Sequence, residues 1–127
     1  PEGSIRMQKP WFAAGGLDLS EYFEGTINVS IKPLQFDILR ADHLFRRVKW
    51  AEQCPPEDFS IIRCRLTVAG RHYPAYLYYP HPETKPGHFH DASVMELIAP
   101  PITSLEINQA VTLSFDEGKI RIRSPLA

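Results

Sequence analysis

No stretch of this sequence stays apolar long enough to span a bilayer as a helix. No charged-then-apolar leader opens it, so neither a membrane anchor nor a secretory signal is expected. Only two cysteines are present, Cys54 and Cys64. They are too few for a disulfide framework or a zinc site of their own, and a reduced, cytoplasmic setting is the expectation. Cys64, inside an apolar strand pattern, reads as a small buried residue. Glycines number seven, and neither Gly-x-x-x-x-Gly-Lys-Ser/Thr nor Gly-x-Gly-x-x-Gly occurs, so a nucleotide would be held without those cradles. A formal net charge of −1 provides no global basic field for nucleic acid or anionic lipid. Repeats and low-complexity tracts are absent. Nothing reads as a long amphipathic helix, and twelve prolines argue against one.

The 127 residues are enough for one domain with one core. A hydrophobic content of 43% with 23% charged residues is typical of globular chains. Strand patterns dominate. Residues 59–68 alternate Ile62, Cys64, Leu66 and Val68 with Arg63, Arg65 and Thr67, and residues 72–79 follow the turn Ala69-Gly70-Arg71, so a hairpin is expected. Tyr76 and Tyr78 should share one face of its second strand, with Leu77 and Tyr79 on the other. Residues 111–115 and 119–123 predict a final hairpin across Asp116-Glu117-Gly118. Residues 26–32, stopped by Pro33, and 46–50 are further strands. Residues 18–23 predict one helical turn capped by Asp18 or Ser20, and 54–58 and 80–87 predict loops. Short strands with frequent turns indicate an all-β barrel or sandwich.

Two segments carry chemistry. In Gly25-Thr26-Ile27-Asn28-Val29, strand alternation puts the Thr26 hydroxyl and the Asn28 amide on one face. Ile27, Val29 and Ile31 then fill a core, and Gly25 lets backbone approach a ligand closely. An ordinary strand start has the same pattern. In the second segment Glu96 interrupts the apolar run Val94-Met95-Glu96-Leu97-Ile98 before Pro100. A carboxylate there is either exposed on the outer face or held by specific hydrogen bonds, because burying it unpaired is costly.

The two segments together resemble the archaeal-type CTP-dependent riboflavin kinases, small cradle-loop β-barrels that phosphorylate riboflavin to FMN. The family signature Gly-Thr-Leu-Asn reads Gly25-Thr26-Ile27-Asn28 here. Its late Glu-Ile-Ile-Ala-Pro reads Glu96-Leu97-Ile98-Ala99-Pro100, with His90 at the position of a frequent family histidine. The resemblance implies a compact, roughly six-stranded all-β barrel over residues 1–127, with one or two short helical turns. It implies phosphoryl transfer from a nucleoside triphosphate, CTP in the family, to riboflavin or a related alcohol. Gly3, Gly25 and Thr26 would then bind nucleotide, Thr26 and Asn28 would hold magnesium, and His90 and Glu96 would meet the flavin substrate. No residue is named as base.

The chain departs from the family at three places. Only Glu2-Gly3-Ser4 matches its opening strand and Gly-rich turn, which would otherwise lie upstream of Pro1. Ile102-Thr103-Ser104-Leu105 stands where Leu-Arg follows Ala-Pro, and Asn108-Gln109-Ala110 replaces a Gly-Asp turn. The competing expectation is a non-catalytic barrel that binds a small ligand or a protein after losing the nucleotide-holding loop.

His81, Glu83, His88 and His90 fall within ten residues. They suit a transition metal, a loop overhanging the cleft where Lys85 or the histidines meet a phosphate, or a solvated loop whose histidines do nothing together. The cluster Arg46-Arg47-Val48-Lys49-Trp50 is basic with an aromatic tip, a combination that binds single-stranded nucleic acid in other settings. Alone in a chain without basic excess, it reads as a solvated strand face.

Overall fold

The computed structural model describes residues 2–84 and 91–125. It is an all-β fold with one helix, built on a curled antiparallel half-barrel. The helix α1 (Glu2–Ala14) comes first, followed by β1 (Ile27–Ser30), β2 (Gln35–Ile38), β3 (His43–Val48), β4 (Glu57–Val68) and β5 (Arg71–Pro80). A 3-10 turn (Pro82–Thr84) precedes β6 (Val94–Ile98), β7 (Thr112–Phe115) and β8 (Ile120–Arg123). The main sheet runs β1-β6-β5-β4-β3, with β7 also paired to β4, and β2 and β8 form a separate two-stranded sheet.

The predicted β4–β5 hairpin is present, in continuous register from Phe59↔Pro80 to Val68↔Arg71. Its loop is the dipeptide Ala69-Gly70, both at positive φ (49° and 79°), the conformation whose twist matches two antiparallel strands. Alternation holds on both strands. Ile62, Cys64, Leu66 and Leu77 face one core with Met95, Leu97 and Phe36, and Ile27, Val29 and Ile31 pack against it. Phe59, Ile61, Tyr78 and Ile98 face a second core with Ile5, Phe12, Leu17 and Leu19.

The helix overturns the expectation of no long helix and of short helical turns only. Pro10 lies inside it, yet Ile5, Gln8 and Phe12 make one buried face. Packing on the sheet outweighs the lost backbone bond. The helix ends in a Schellman motif: Leu17 N–H donates to the Phe12 carbonyl (2.9 Å) and Gly16 N–H to that of Ala13 (3.0 Å). Gly16 has φ +99°, a conformation only glycine adopts cheaply. Gly15 lies so close to the Phe45 ring that a Cβ would sit 2.4 Å from it. The segment Glu2-Gly3-Ser4 is therefore helical, not a Gly-rich turn.

Other expectations shift. Residues 18–23 form a turn rather than a helix, with Ser20 N–H donating to Asp18 Oδ1 (2.9 Å). The strand expected at 46–50 spans His43–Val48, and β4 opens at Glu57, inside the expected loop. The pairing slips between Phe45↔Phe59 and Val48↔Glu57. Arg47, at φ 55°, forms the bulge and donates its N–H to Asp58 Oδ1 (2.8 Å). β2 was not expected at all. The final hairpin is not one: β7 pairs with β4 and β8 with β2. The turn at Gly118 carries the chain from one sheet to the other, so local alternation is right while the partners are not.

A Lys119–Asp42 ion pair fastens that corner, both side chains largely buried. Asp42 Oδ2 also accepts the Arg63 N–H (2.8 Å). Burial alone would raise the Asp42 carboxyl, but Lys119 and the Arg63 amide outweigh it and hold it below its ordinary value. Lys119→Met should cost about 3 kcal/mol in urea denaturation, because it strands a mostly buried carboxylate. Asp42 has a lower pKa folded than unfolded, so its contribution is complete above about pH 4 and fades as pH falls through the folded value. That acid-dependent loss should shrink in Lys119→Met.

Both cysteines are free. Burial pushes the Cys64 thiol up to about 12, so iodoacetamide at pH 8 should alkylate Cys54 and leave Cys64 unmodified in the native protein.

Candidate functional site

The chain brings its two sharp segments together as neighbouring strands. β1 pairs with β6 in the register Ile27↔Leu97, Asn28↔Glu96, Val29↔Met95 and Ser30↔Val94. Beyond the ladder, Phe23 N–H donates to the Ala99 carbonyl and Ile31 N–H to that of Ser93, both at 2.9 Å. Residues 23–31 are therefore stitched along 93–99 from end to end.

Because Ile27, Val29, Met95 and Leu97 face the barrel core, Asn28 and Glu96 emerge together on the opposite face. This is the face that carries Ile98 and α1. Thr26 Oγ1 donates to Glu96 Oε1 at 3.4 Å, a long bond that sets direction more than it contributes stability. Asn28 is exposed, Thr26 and Glu96 are half-buried, and Gly25 is buried just ahead of the strand. Of the two expectations for Glu96, the structure shows both in part: it is partly exposed and it accepts a specific hydrogen bond.

The surroundings are held firmly. Tyr78 Oη donates to Gln8 Oε1 at 2.6 Å, joining α1 to β5. Burial raises the Tyr78 phenol far above its usual range, with the Gln8 bond opposing. Lys9 Nζ donates to the Tyr22 carbonyl (2.7 Å) and lies 3.7 Å from Glu24, so α1 grips the segment leading into Gly25. Gly3 sits in the first turn of this helix.

β1 is the sheet edge, and a cleft of about 680 Å³ borders it. Polar groups from Asn28, Ser30, Glu106, Asn108 and Gln109 line it together with Ile27, Leu66 and Val111. The volume lies within the usual range for small-molecule sites. Among the described lining residues none is a lysine or arginine.

The remaining sequence candidates separate. His90, His88 and Lys85 lie outside the described residues. Among the described residues no three His, Cys, Asp or Glu side chains gather to hold a metal ion. His81 instead bonds Ser60 and Glu83. The His-x-Glu spacing was visible in sequence, but the contact with Ser60, twenty-one residues away, has no local signal. In the basic cluster, Trp50 donates its Nε1–H to Glu57 Oε2 (2.8 Å) and packs on the helix-side core. Lys49 Nζ donates to the carbonyls of Glu52 and Cys54. The Trp50 ring is thus partly buried and bonded into the fold. Among the described residues no helix is long and apolar enough to cross a membrane.

Comparison with protein-family models, with curated proteins and with solved structures finds no match. Thr26→Val should lower stability by less than about 1 kcal/mol, the worth of one partly exposed hydrogen bond. Thermal melting of the variant measures that contribution.

Proposed function

We propose that the β1–β6 face is a riboflavin-kinase-like phosphotransferase site, in which a nucleoside triphosphate donates a phosphoryl group to riboflavin or a related alcohol. One observation carries this reading. Asn28 and Glu96, drawn from segments that resemble the two family motifs, are direct cross-strand partners, with Thr26 bonded to the same carboxylate. The donor set is a hydroxyl, an amide oxygen and a carboxylate, the hard oxygens that magnesium prefers. Magnesium held by Thr26 and Asn28 would supply charge neutralisation on the phosphates.

The chain's own groups have simple tasks. Glu96 accepts a hydrogen bond from the acceptor hydroxyl or from the flavin, and its bond from Thr26 aims the carboxylate. Asn28 presents its side-chain amide on the same face. Phosphoryl transfer asks mainly for this kind of positioning.

Two observations favour a second reading, a barrel that binds a small ligand without turnover. α1 occupies the chain positions of the family's Gly-rich turn, and the cleft beside Asn28 lacks a lysine or arginine among its described lining residues. Incubation with riboflavin, magnesium and each of the four ribonucleoside triphosphates separates the two. FMN formation with any of them supports the kinase reading. Quenched flavin fluorescence without FMN supports the second. Asn28→Ala alters an exposed side chain and should leave the melting temperature unchanged, while weakening magnesium-dependent nucleotide binding about tenfold (1.4 kcal/mol). Unchanged affinity would remove Asn28 from the site.

A further inference from the structure

A second cleft, of about 620 Å³, opens at the end of the barrel between β2, β4 and the 3-10 turn. Ser60, His81 and Glu83 meet there in a chain of hydrogen bonds. Ser60 Oγ lies 2.6 Å from His81 Nε2, and His81 Nδ1 lies 3.1 Å from Glu83 Oε2. A carboxylate only accepts, so Nδ1 carries the proton. Nε2 of the neutral ring is then the acceptor for the serine hydroxyl. That is the order of roles in a serine–histidine–acid nucleophile site, which is recognised by geometry and not by chain order.

The arrangement is stiff. Ser60 is buried in mid-strand, in register with Leu44 on one side and Tyr79 on the other. His81 N–H donates to the Asp58 carbonyl (2.9 Å). Asp58 N–H donates to Thr84 Oγ1 (2.9 Å), which in turn donates to the His81 carbonyl (3.0 Å). The turn carrying His81 and Glu83 is thus stapled to β4 two residues from Ser60. The Tyr79 ring meets the imidazole edge-on at 5.3 Å. This is the supporting shell that a working constellation requires.

The rest of the cleft suggests what enters it. Phe36, Ile38 and Leu44 offer apolar wall. Asp37 lines it too, but is taken by Arg121 and Arg123. Arg40 is exposed and lines the same cleft, and it has no ion-pair partner among the described residues.

We propose that this cleft is an acyl-transfer site for short carboxylic esters bearing an anionic group, with Ser60 as nucleophile, His81 as base and Glu83 as positioning residue. Ser60 Oγ bonds to the ester carbonyl carbon as its proton passes to His81 Nε2. The bond to the leaving oxygen breaks, and that oxygen takes the proton as an alcohol. Water then repeats the exchange: it gives a proton to His81, bonds to the acyl carbon and releases the acid, while Ser60 recovers its proton. Apolar wall holds the acyl chain, and Arg40 meets the anion. The site lies on the barrel face of the sheet and does not depend on the β1–β6 reading.

A fluorophosphonate probe tests the nucleophile directly. The native protein should gain one adduct, mapped to Ser60 by peptide mass spectrometry, and should gain none in urea. Ser60→Ala should abolish labelling. His81→Gln should slow it about 100-fold or more, the usual worth of a general base. Glu83→Gln should slow it less, since that carboxylate is 70% exposed, and Glu83→Asp should restore part of the rate. Hydrolysis of 4-nitrophenyl hemisuccinate should exceed that of 4-nitrophenyl acetate, with the preference lost in Arg40→Ala. No native adduct at Ser60, or equal labelling rates in native protein and urea, would overturn the site. Equal rates in native protein and a folded His81→Gln would reduce the contact to a structural hydrogen bond. Equal turnover of the two esters would overturn the anionic substrate class.

Discussion

β4 is the constraint on which the rest of the structure depends. At twelve residues it is the longest strand, and it outruns any single partner on one of its edges. β5 pairs along one side from Phe59 to Val68, while the other side is divided between β3 near Phe59 and β7 near Leu66. The register shift at Arg47 bends β3 as it joins. A long strand with divided partners curls, since twist accumulates across its neighbours. The curl makes a barrel side and a helix side, and both candidate sites inherit their positions from it. Ser60 lies on β4 itself, and Glu96 is reached through β5 and β6.

How far the sequence reveals this depends on how local each signal is. The β4–β5 hairpin was legible because its register is fixed by alternation and one two-residue turn. The alternation of Ile27 and Val29 with Asn28 was equally legible, and it turned Asn28 and Glu96 to the same face. Pairing choices were not. Residues 111–115 and 119–123 alternate like a hairpin, but nothing local reports that a strand will leave its neighbour for β4 or β2. The Asp42–Lys119 pair that fixes the corner joins residues seventy-seven apart.

The helix was missed for a different reason. Its buried face is Ile5, Gln8 and Phe12, with a polar residue at the centre and a proline behind it. Amphipathic periodicity is weak there because Gln8 is buried for its bond to Tyr78, not for its apolarity. The pair Gly15-Gly16 was the readable stop signal. Once the helix is recognised, the chemistry shifts as well. Residues 2–4 form a helical turn and so cannot serve as a flexible phosphate loop.

The two candidate sites occupy opposite faces of one sheet. Glu96 shares its face with Ile98 and the helix, whereas Ser60 shares its face with Ile62 and the barrel core. β5 lies between them, giving Tyr78 to the helix side and Tyr79 to the barrel side. Successive residues of one strand thus pack behind the two proposed sites without sharing a side chain. A substitution at Asn28 changes an exposed group on β1 and leaves the Ser60–His81 contact untouched. A substitution at His81 leaves the β1–β6 register untouched. Residues so separated, with no common partner, act independently. The alternation of one sheet therefore keeps the two proposed sites apart, each on its own face.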